Sequence, residues 1–264
     1  LGEADLVKTL QQLPGVAVGT EGMTGLYVRG GGADENLYLL DGNPVYHVNH
    51  LLGFFSAFNP DAIKNTRFYK GSFPAEYGGR LSSVVDVRMN DGNRQEYHGN
   101  ISVGLLSARA NLEGPIVKDR SSFNVSVRRT WLDLITGTAL AIINKNSDTK
   151  ESFGYHFFDI NAKVNHSFSE RSRAYLSFYM GQDAFRQGSK EKHEDSDDMF
   201  LWRWGNLIGS AGWNYVFGQK LFGNLMVGYS RFRSHIRQEA KGYEIEGNRE
   251  ERQSIKRDSR YKSE

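Results

Sequence analysis

Residues 25–46 read GLYVRGGGADENLYLLDGNPVY, from Gly25 to Tyr46. Two short strand-like runs, Leu26–Arg29 and Asn36–Leu40, flank a triple glycine, Gly30–Gly32, and the second stops at Asp41-Gly42. Three consecutive glycines accept φ > 0 and let another chain or a ligand approach the backbone closely. Asp-Gly after an apolar strand signals a tight turn. Alone, the stretch reads as a glycine-rich hairpin, and an ordinary hairpin in a small α+β domain explains it. The residues around it decide what it belongs to.

The chain has 264 residues, enough for one or two domains. Its 33 basic residues against 31 acidic ones argue against a dedicated nucleic-acid binder. With no cysteine there is no disulfide framework, thiolate zinc site or cysteine nucleophile. The 16 Phe and 13 Tyr suit β structure. No apolar run approaches the ~20 residues of a membrane helix. The longest, Leu132–Ile143, is interrupted by Asp133 and Gly137. Barrel strands carry only a weak alternating signal, so a membrane protein stays open. No leader is visible at Leu1-Gly2-Glu3, and the chain reads as a mature or trimmed fragment.

Glu3–Gln12 predicts a short helix, with Leu6, Leu10 and Leu13 at helical spacing and Pro14-Gly15 ending it. Val16–Val18 is extended, and the glycine-rich stretch follows. Asn59-Pro60-Asp61 closes an irregular apolar segment, Pro60–Lys64 gives one helical turn, and Thr66–Lys70 and Ser83–Met89 give strands. After these, Asn90–Arg94 is a polar linker. Residues 1–94 therefore read as a small mixed domain, with 95–264 a second unit.

From Tyr97 the pattern changes to period 2, the signature of two-faced strands. In Phe158–Phe168 the apolar set is Phe158, Ile160, Ala162, Val164 and Phe168, against Asp159, Asn161, Lys163 and Asn165. Leu176, Phe178 and Met180 form another apolar set, as do Phe123, Val125 and Val127. Leu207, Ala211, Trp213 and Tyr215 stand opposite Asn206, Ser210 and Asn214, and Leu225, Val227 and Tyr229 follow. The parity flips between Leu105 and Ala108. A two-residue turn at Leu106-Ser107 would keep both apolar sets on one face, and a bulge is the alternative.

The connections alternate. Val117–Arg120, Ser169–Arg171 and Gly218–Lys220 are short, whereas Leu134–Tyr155, Arg186–Met199 and Ile236–Glu264 are long. Outer-membrane barrels have short periplasmic turns and long extracellular loops. A turn at 106–107 starts the first strand on the periplasmic side, which gives about seven strands. An eight-stranded barrel is filled by its own side chains, and a domain of ~95 residues, with a radius of gyration of ~12 Å, needs the ~22-stranded plugged type. The expected fold is a transmembrane β-barrel of about 22 strands when complete, about seven of them here, with an N-terminal α+β plug domain. Roughly fifteen strands would follow Glu264.

The chain resembles the TonB-dependent outer-membrane receptors, especially their Bacteroidetes-type branch. The resemblance rests on ordered motifs: LQQLPGV at 10–16, LYVRG at 26–30, LYLLDG at 37–42, NPDAIK at 59–64, FYKG at 68–71, EYGG at 76–79 and SVVDV at 83–87. In the barrel portion, LEGPI at 112–116 is the best local match. The resemblance implies an outer-membrane transporter of a Gram-negative bacterium that imports chelated iron, cobalamin, glycans or peptides. It implies a TonB partner that grips a segment N-terminal to this chain, and no enzyme activity or cofactor. Outer-membrane lipid and the nutrient ligand are further partners, and a surface lipoprotein or other outer-membrane complex is another candidate. The alternative function is a signalling or surface-binding receptor of the same architecture without uptake; a soluble β-rich binding domain is a third reading.

The resemblance also assigns sites. Arg29 matches the arginine of the plug motif, and Lys70 a second cation position; both would face barrel carboxylates. The loops Gly31–Glu35 and Tyr46–His50 match those at the plug's outer apex that touch substrate, which points to Asp34, Glu35, His47, Asn49 and His50 as contacts. His47 and His50 form an H-x-x-H pair, but no third ligand is evident, so no metal is assigned. No phosphate-binding lysine loop or nucleophile elbow is present.

Overall fold

A computed structural model of the chain describes residues 4–19, 23–191, 197–246 and 249–263. In chain order the elements are α1 (Leu6–Gln11), β1 (Val16–Ala17), β2 (Tyr27–Val28), β3 (Asn36–Leu40), β4 (Asn43–Pro44), β5 (Asn49–His50), β6 (Phe55–Ser56), β7 (Ile63–Tyr69) and β8 (Ser83–Met89). Next come β9 (His98–Val103), β10 (Ser107–Val117), β11 (Ser121–Thr130), α2 (Leu132–Ile143), β12 (Thr149–Ser169), β13 (Ser172–Glu191), β14 (Asp197–Val216), β15 (Phe222–Glu246) and β16 (Arg249–Ser263). Short 3-10 turns lie at Ala33–Glu35, Leu51–Gly53, Pro60–Ala62 and Asn144–Asn146.

The N-terminal domain is built on a four-stranded sheet of order β4-β3-β8-β7, with β3 parallel to β8 and the other pairs antiparallel. Asp41-Gly42 closes the β3–β4 hairpin with positive φ at both residues, 46° and 83°, the backbone that a two-residue loop on twisted strands requires. Helix α1 begins where the Asp5 carboxylate accepts from the Lys8 N–H, and it buries Val7 and Leu10 against Tyr38, Leu40, Val85 and Val87.

One expectation is corrected here. Leu26–Arg29 and Asn36–Leu40 do not form a hairpin: β2 pairs with β1, and β3 pairs with β4 and β8. The Asn36 side chain explains the divergence. Its amide donates to the carbonyls of Leu26, Gly32 and Ala33, so the glycine loop is pinned back on itself before β3 starts.

Strands β9 to β16 form one antiparallel sheet in sequence order, open between β9 and β16 among the described residues. The parity flip near residue 106 is a hairpin with a two-residue turn, but the turn lies one residue earlier than Leu106-Ser107. Val103 pairs with Ala108 and Ile101 with Ala110, and the Gly104 N–H donates to Ser107 O, so the turn is Leu105-Leu106. The pairing shifts by two residues, which leaves the face of every side chain unchanged. Trp131 holds the turn, its indole N–H donating to Leu105 O at 2.8 Å and its backbone N–H to Leu106 O at 3.2 Å.

The described sheet has eight strands, one more than the periodicity indicates. Segments expected as long loops are strand over most of their length: β13 runs to Glu191, β15 to Glu246, and β16 occupies 249–263. The centre of the 186–199 segment, residues 192–196, lies outside the described residues, as do Leu1–Glu3 and Glu264.

The two faces separate as the alternation predicts. Asn124, Ser126, Arg128, Asp159, Asn161, Lys163, Asn165, Asn206 and Ser210 are buried against the N-terminal domain. Asn214 shares their face but lies nearer the short turns and is exposed. Opposite them Leu176 is 64% exposed, Phe178 39%, Trp213 43% and Val227 64%. Tyr179 and Ile208 cross the boundary and join the core of the N-terminal domain, so the two units share one apolar interior.

Candidate functional site

The chain from Asp41 to Phe55 climbs the inner face of the sheet and carries many of the polar contacts between the two units, with others at Asp61, Asn90 and Asp91. At the lower level Lys163 of β12 lies 3.2 Å from Asp41 Oδ2 and 3.1 Å from Asp91 Oδ1, and it donates to Met89 O at 3.1 Å. Ser210 donates to Asp41 O, and Ser230 to Pro44 O. Higher up, Asn206 exchanges two hydrogen bonds with the His47 backbone, accepting from its N–H and donating to its carbonyl.

The upper level is a buried charge cluster. His50 places Nδ1 2.7 Å from Asp183 Oδ2 and Nε2 2.9 Å from Asp159 Oδ1. Arg128 of β11 donates to Asp159 Oδ2 through Nε and Nη2, at 2.8 and 2.6 Å, and to Ser56 O at 2.7 Å. Tyr179 donates to Asp159 Oδ1, and Tyr155 donates to Asp183 while accepting from the Leu51 N–H. The Phe157 ring stacks on His50 at 4.4 Å and carries the Arg128 guanidinium 5.1 Å from its centre. With His50 protonated, two cations face two carboxylates. A buried charge without such partners is costly, and the set is neutral.

Titration follows from these neighbours. Burial pulls the His50 pKa down, but Asp159 and Asp183 outweigh it and hold it up at about 9. His47, buried with weaker compensation, is pushed below the usual histidine range. Burial raises Asp91, but Lys163 and Lys64 prevail and hold it below the ordinary carboxylate range.

The structure brings together only some of the candidate residues. His50 is buried at 3% exposure and is an ionic contact between the two units. The His47 ring packs edge-on to Trp204 and against Phe232. Asn49 accepts from the Thr24 hydroxyl at 2.6 Å. Asp34 and Glu35 sit at the opposite end of β3; Asp34 is exposed, and Glu35 accepts from the Gly32 N–H. Arg29 is exposed, and Lys70 donates to Pro14 O at 2.7 Å. Among the described residues neither cation meets a carboxylate of the eight-stranded sheet.

Two features escaped sequence reasoning. Arg128 and Asp183 were not singled out, although both fall on the inward parity of their strands. Above the cluster the inward positions Phe153, Phe185, Phe200 and Trp202 line the wall with rings: Phe153 and Phe185 lie 5.5 Å apart, and Phe185 and Phe200 6.0 Å. An apolar residue on the polar face of a two-faced strand is the signal that could have found them.

A small mixed domain seated on the polar face of a long-stranded antiparallel sheet, whose other face is apolar, defines a plugged outer-membrane barrel. Residues 1–85 match the family model of the TonB-dependent receptor plug domain. The receptors that carry such a plug are outer-membrane proteins of Gram-negative bacteria. No curated protein matches the chain in sequence. Among solved structures it is similar to the siderophore receptor PirA from Acinetobacter baumannii, at 15% identity and a TM-score of 0.47 over 96% of this chain and 45% of that one. PirA from Pseudomonas aeruginosa gives 16% identity and a TM-score of 0.43, covering 97% of this chain and 55% of that one. A mutant of the ferric enterobactin receptor PfeA from Pseudomonas aeruginosa gives 16% and 0.46, over 90% and 44%. The chain thus spans about half the length of these structures.

Proposed function

We propose that this chain is the plug and the leading barrel strands of a transporter that binds a scarce nutrient at the cell surface and imports it past the plug. The observation that carries the reading is the plug's attachment. It is held to the lumen wall by His50, Asp41 and Asp91 against Asp159, Asp183 and Lys163, in addition to the shared apolar core. Ion pairs weaken as entering water raises the local dielectric, which suits a plug that moves. The partners on this reading are TonB, acting on a segment before the plug, outer-membrane lipid and the nutrient. The strand extensions of β13 to β15 offer a surface to a lipoprotein or a larger complex. The ring-lined wall above the plug supports a ligand with flat or ring-bearing faces. Of the apex candidates, exposed Asp34 suits ligand contact, and His50 suits the wall clasp.

The test is uptake by the native host with the receptor gene intact or deleted, with and without TonB, using labelled ferric siderophores, cobalamin, maltodextrins and oligopeptides. The expected result is one probe class whose import is lost in both the receptor-deleted and the TonB-lacking strain, while surface binding survives loss of TonB. Receptor-dependent binding of a probe with no import in the intact strain would instead identify a surface-binding or signalling receptor.

A further inference from the structure

We propose that α2 is an interfacial helix, lying in the outer leaflet on the lipid face of the barrel wall where acyl chains meet headgroups. Its position is fixed by contacts to the outward side. Asp133 accepts from Arg129 Nη2 at 2.8 Å and lies 3.5 Å from His156 Nδ1. Arg129 and His156 point away from the plug, because their strand neighbours Arg128, Thr130, Tyr155 and Phe157 are buried toward it. A Cβ built on Gly154 would meet the Asp133 side chain at 3.9 Å, so this glycine lies directly under the helix. Thr136 donates to Phe153 O at 3.1 Å and completes the seat.

The composition fits lipid on the remaining sides. The helix reads LDLITGTALAII, and its single charge, Asp133, is already paired. The hydroxyls of Thr136 and Thr138 donate back to Leu132 O and Leu134 O, at 2.9 and 2.8 Å. Lipid tolerates backbone whose polar groups are satisfied internally, as in a helix. Yet Leu134 is 61% exposed, Ile135 50%, Ile142 72% and Ile143 64%. A helix apolar all round is normally covered all round, and the wall covers one side.

The level of the helix selects the cover. The outward apolar set of β12 runs from Phe158 to Phe168. At ~3.3 Å per residue and a tilt of ~40° this is about 25 Å, the height of a barrel's apolar band. Gly154 and His156 come directly above Phe158, so the exposed side of α2 continues the band upward. At about 18 Å long the helix is too short to cross a bilayer, and it lies along the surface.

The test is a single spin label on the full receptor, otherwise free of cysteine, in phosphatidylcholine–phosphatidylglycerol vesicles. Ile142→Cys and Leu134→Cys are compared with Phe178→Cys in the band and with Lys150→Cys beyond it. Accessibility to oxygen and to a water-soluble nickel chelate is measured at each. The proposal expects the oxygen-to-nickel ratio at 134 and 142 to approach that at 178 and to exceed that at 150 several-fold. A ratio matching position 150 would place α2 in water and overturn it. Low accessibility to both reagents would place it against protein, a second copy of the receptor or another partner, and would overturn it equally.

Discussion

His50 of the plug and Asp159 of the wall, 109 positions apart in the chain, share a 2.9 Å contact from which water is excluded. Asp183 meets the other ring nitrogen at 2.7 Å. The imidazole thus spans two neighbouring barrel strands, β12 and β13, and ties the plug to both.

The clasp has a defined pH dependence. The His50 pKa rises from its ordinary 6.5 to about 9 in the folded protein. A raised histidine contributes its full stabilisation below its unfolded pKa and loses it as pH climbs through the folded value. Thermal unfolding of the plug in the full receptor should therefore shift down between about pH 7 and about pH 10. Asp91 has the opposite sign, its contribution fading only as pH falls through its depressed value. A His50→Gln receptor should lose most of the alkaline shift; an unchanged shift would assign it elsewhere.

Lys163→Met should weaken plug docking. It removes the cation from Asp41 and Asp91 and leaves the Asp41 carboxylate buried at 1% exposure. Breaking a buried pair from one side costs about 3–5 kcal/mol. Denaturant unfolding of the full receptor measures the loss, and adding Asp41→Asn should return part of it. A loss below about 1 kcal/mol would mean the pair is solvated.

Gly228→Ala probes the fit of the plug to β15. A Cβ there would fall 1.5 Å from Asn43 Oδ1, on the strand that follows the Asp41-Gly42 turn. Overpacking of this kind costs about 1–3 kcal/mol. Asn43→Ala in the same chain should relieve it, and additive losses in the double variant would count against direct contact.

Phe178→Arg tests the outward face. An arginine at mid-membrane in a barrel costs about 2–4 kcal/mol and less near an interface. Unfolding from vesicles should show a larger loss for Phe178→Arg than for Phe217→Arg, which sits beside the short turn between β14 and β15. Equal, negligible losses would mean that this face is not in lipid.

Much of this architecture is legible in the residues. The alternation of Asp159, Asn161 and Lys163 with Ile160, Ala162 and Val164 fixes both faces of β12, because one meets lipid and the other the plug. Strand β16 and the upper parts of β13 and β15 were not legible. There the sequence carries charges at both parities, as at Lys190-Glu191 and Glu250-Glu251, so the apolar alternation ends while the backbone ladder continues. The β2–β3 separation was hidden for another reason: the Asn36 side chain overrides the local hairpin signal. The clasp was half visible. His50 stood out, but its partners lie 109 and 133 positions away, and only register aligns Asp159 and Asp183 with it.

The most direct test is a double-mutant cycle of His50→Gln and Asp159→Asn on plug unfolding in the full receptor. If His50 ties the plug to the wall, the two losses will be coupled by about 1–3 kcal/mol, as for residues in one buried network. Losses that add within about 0.5 kcal/mol would show two independent sites and contradict the clasp.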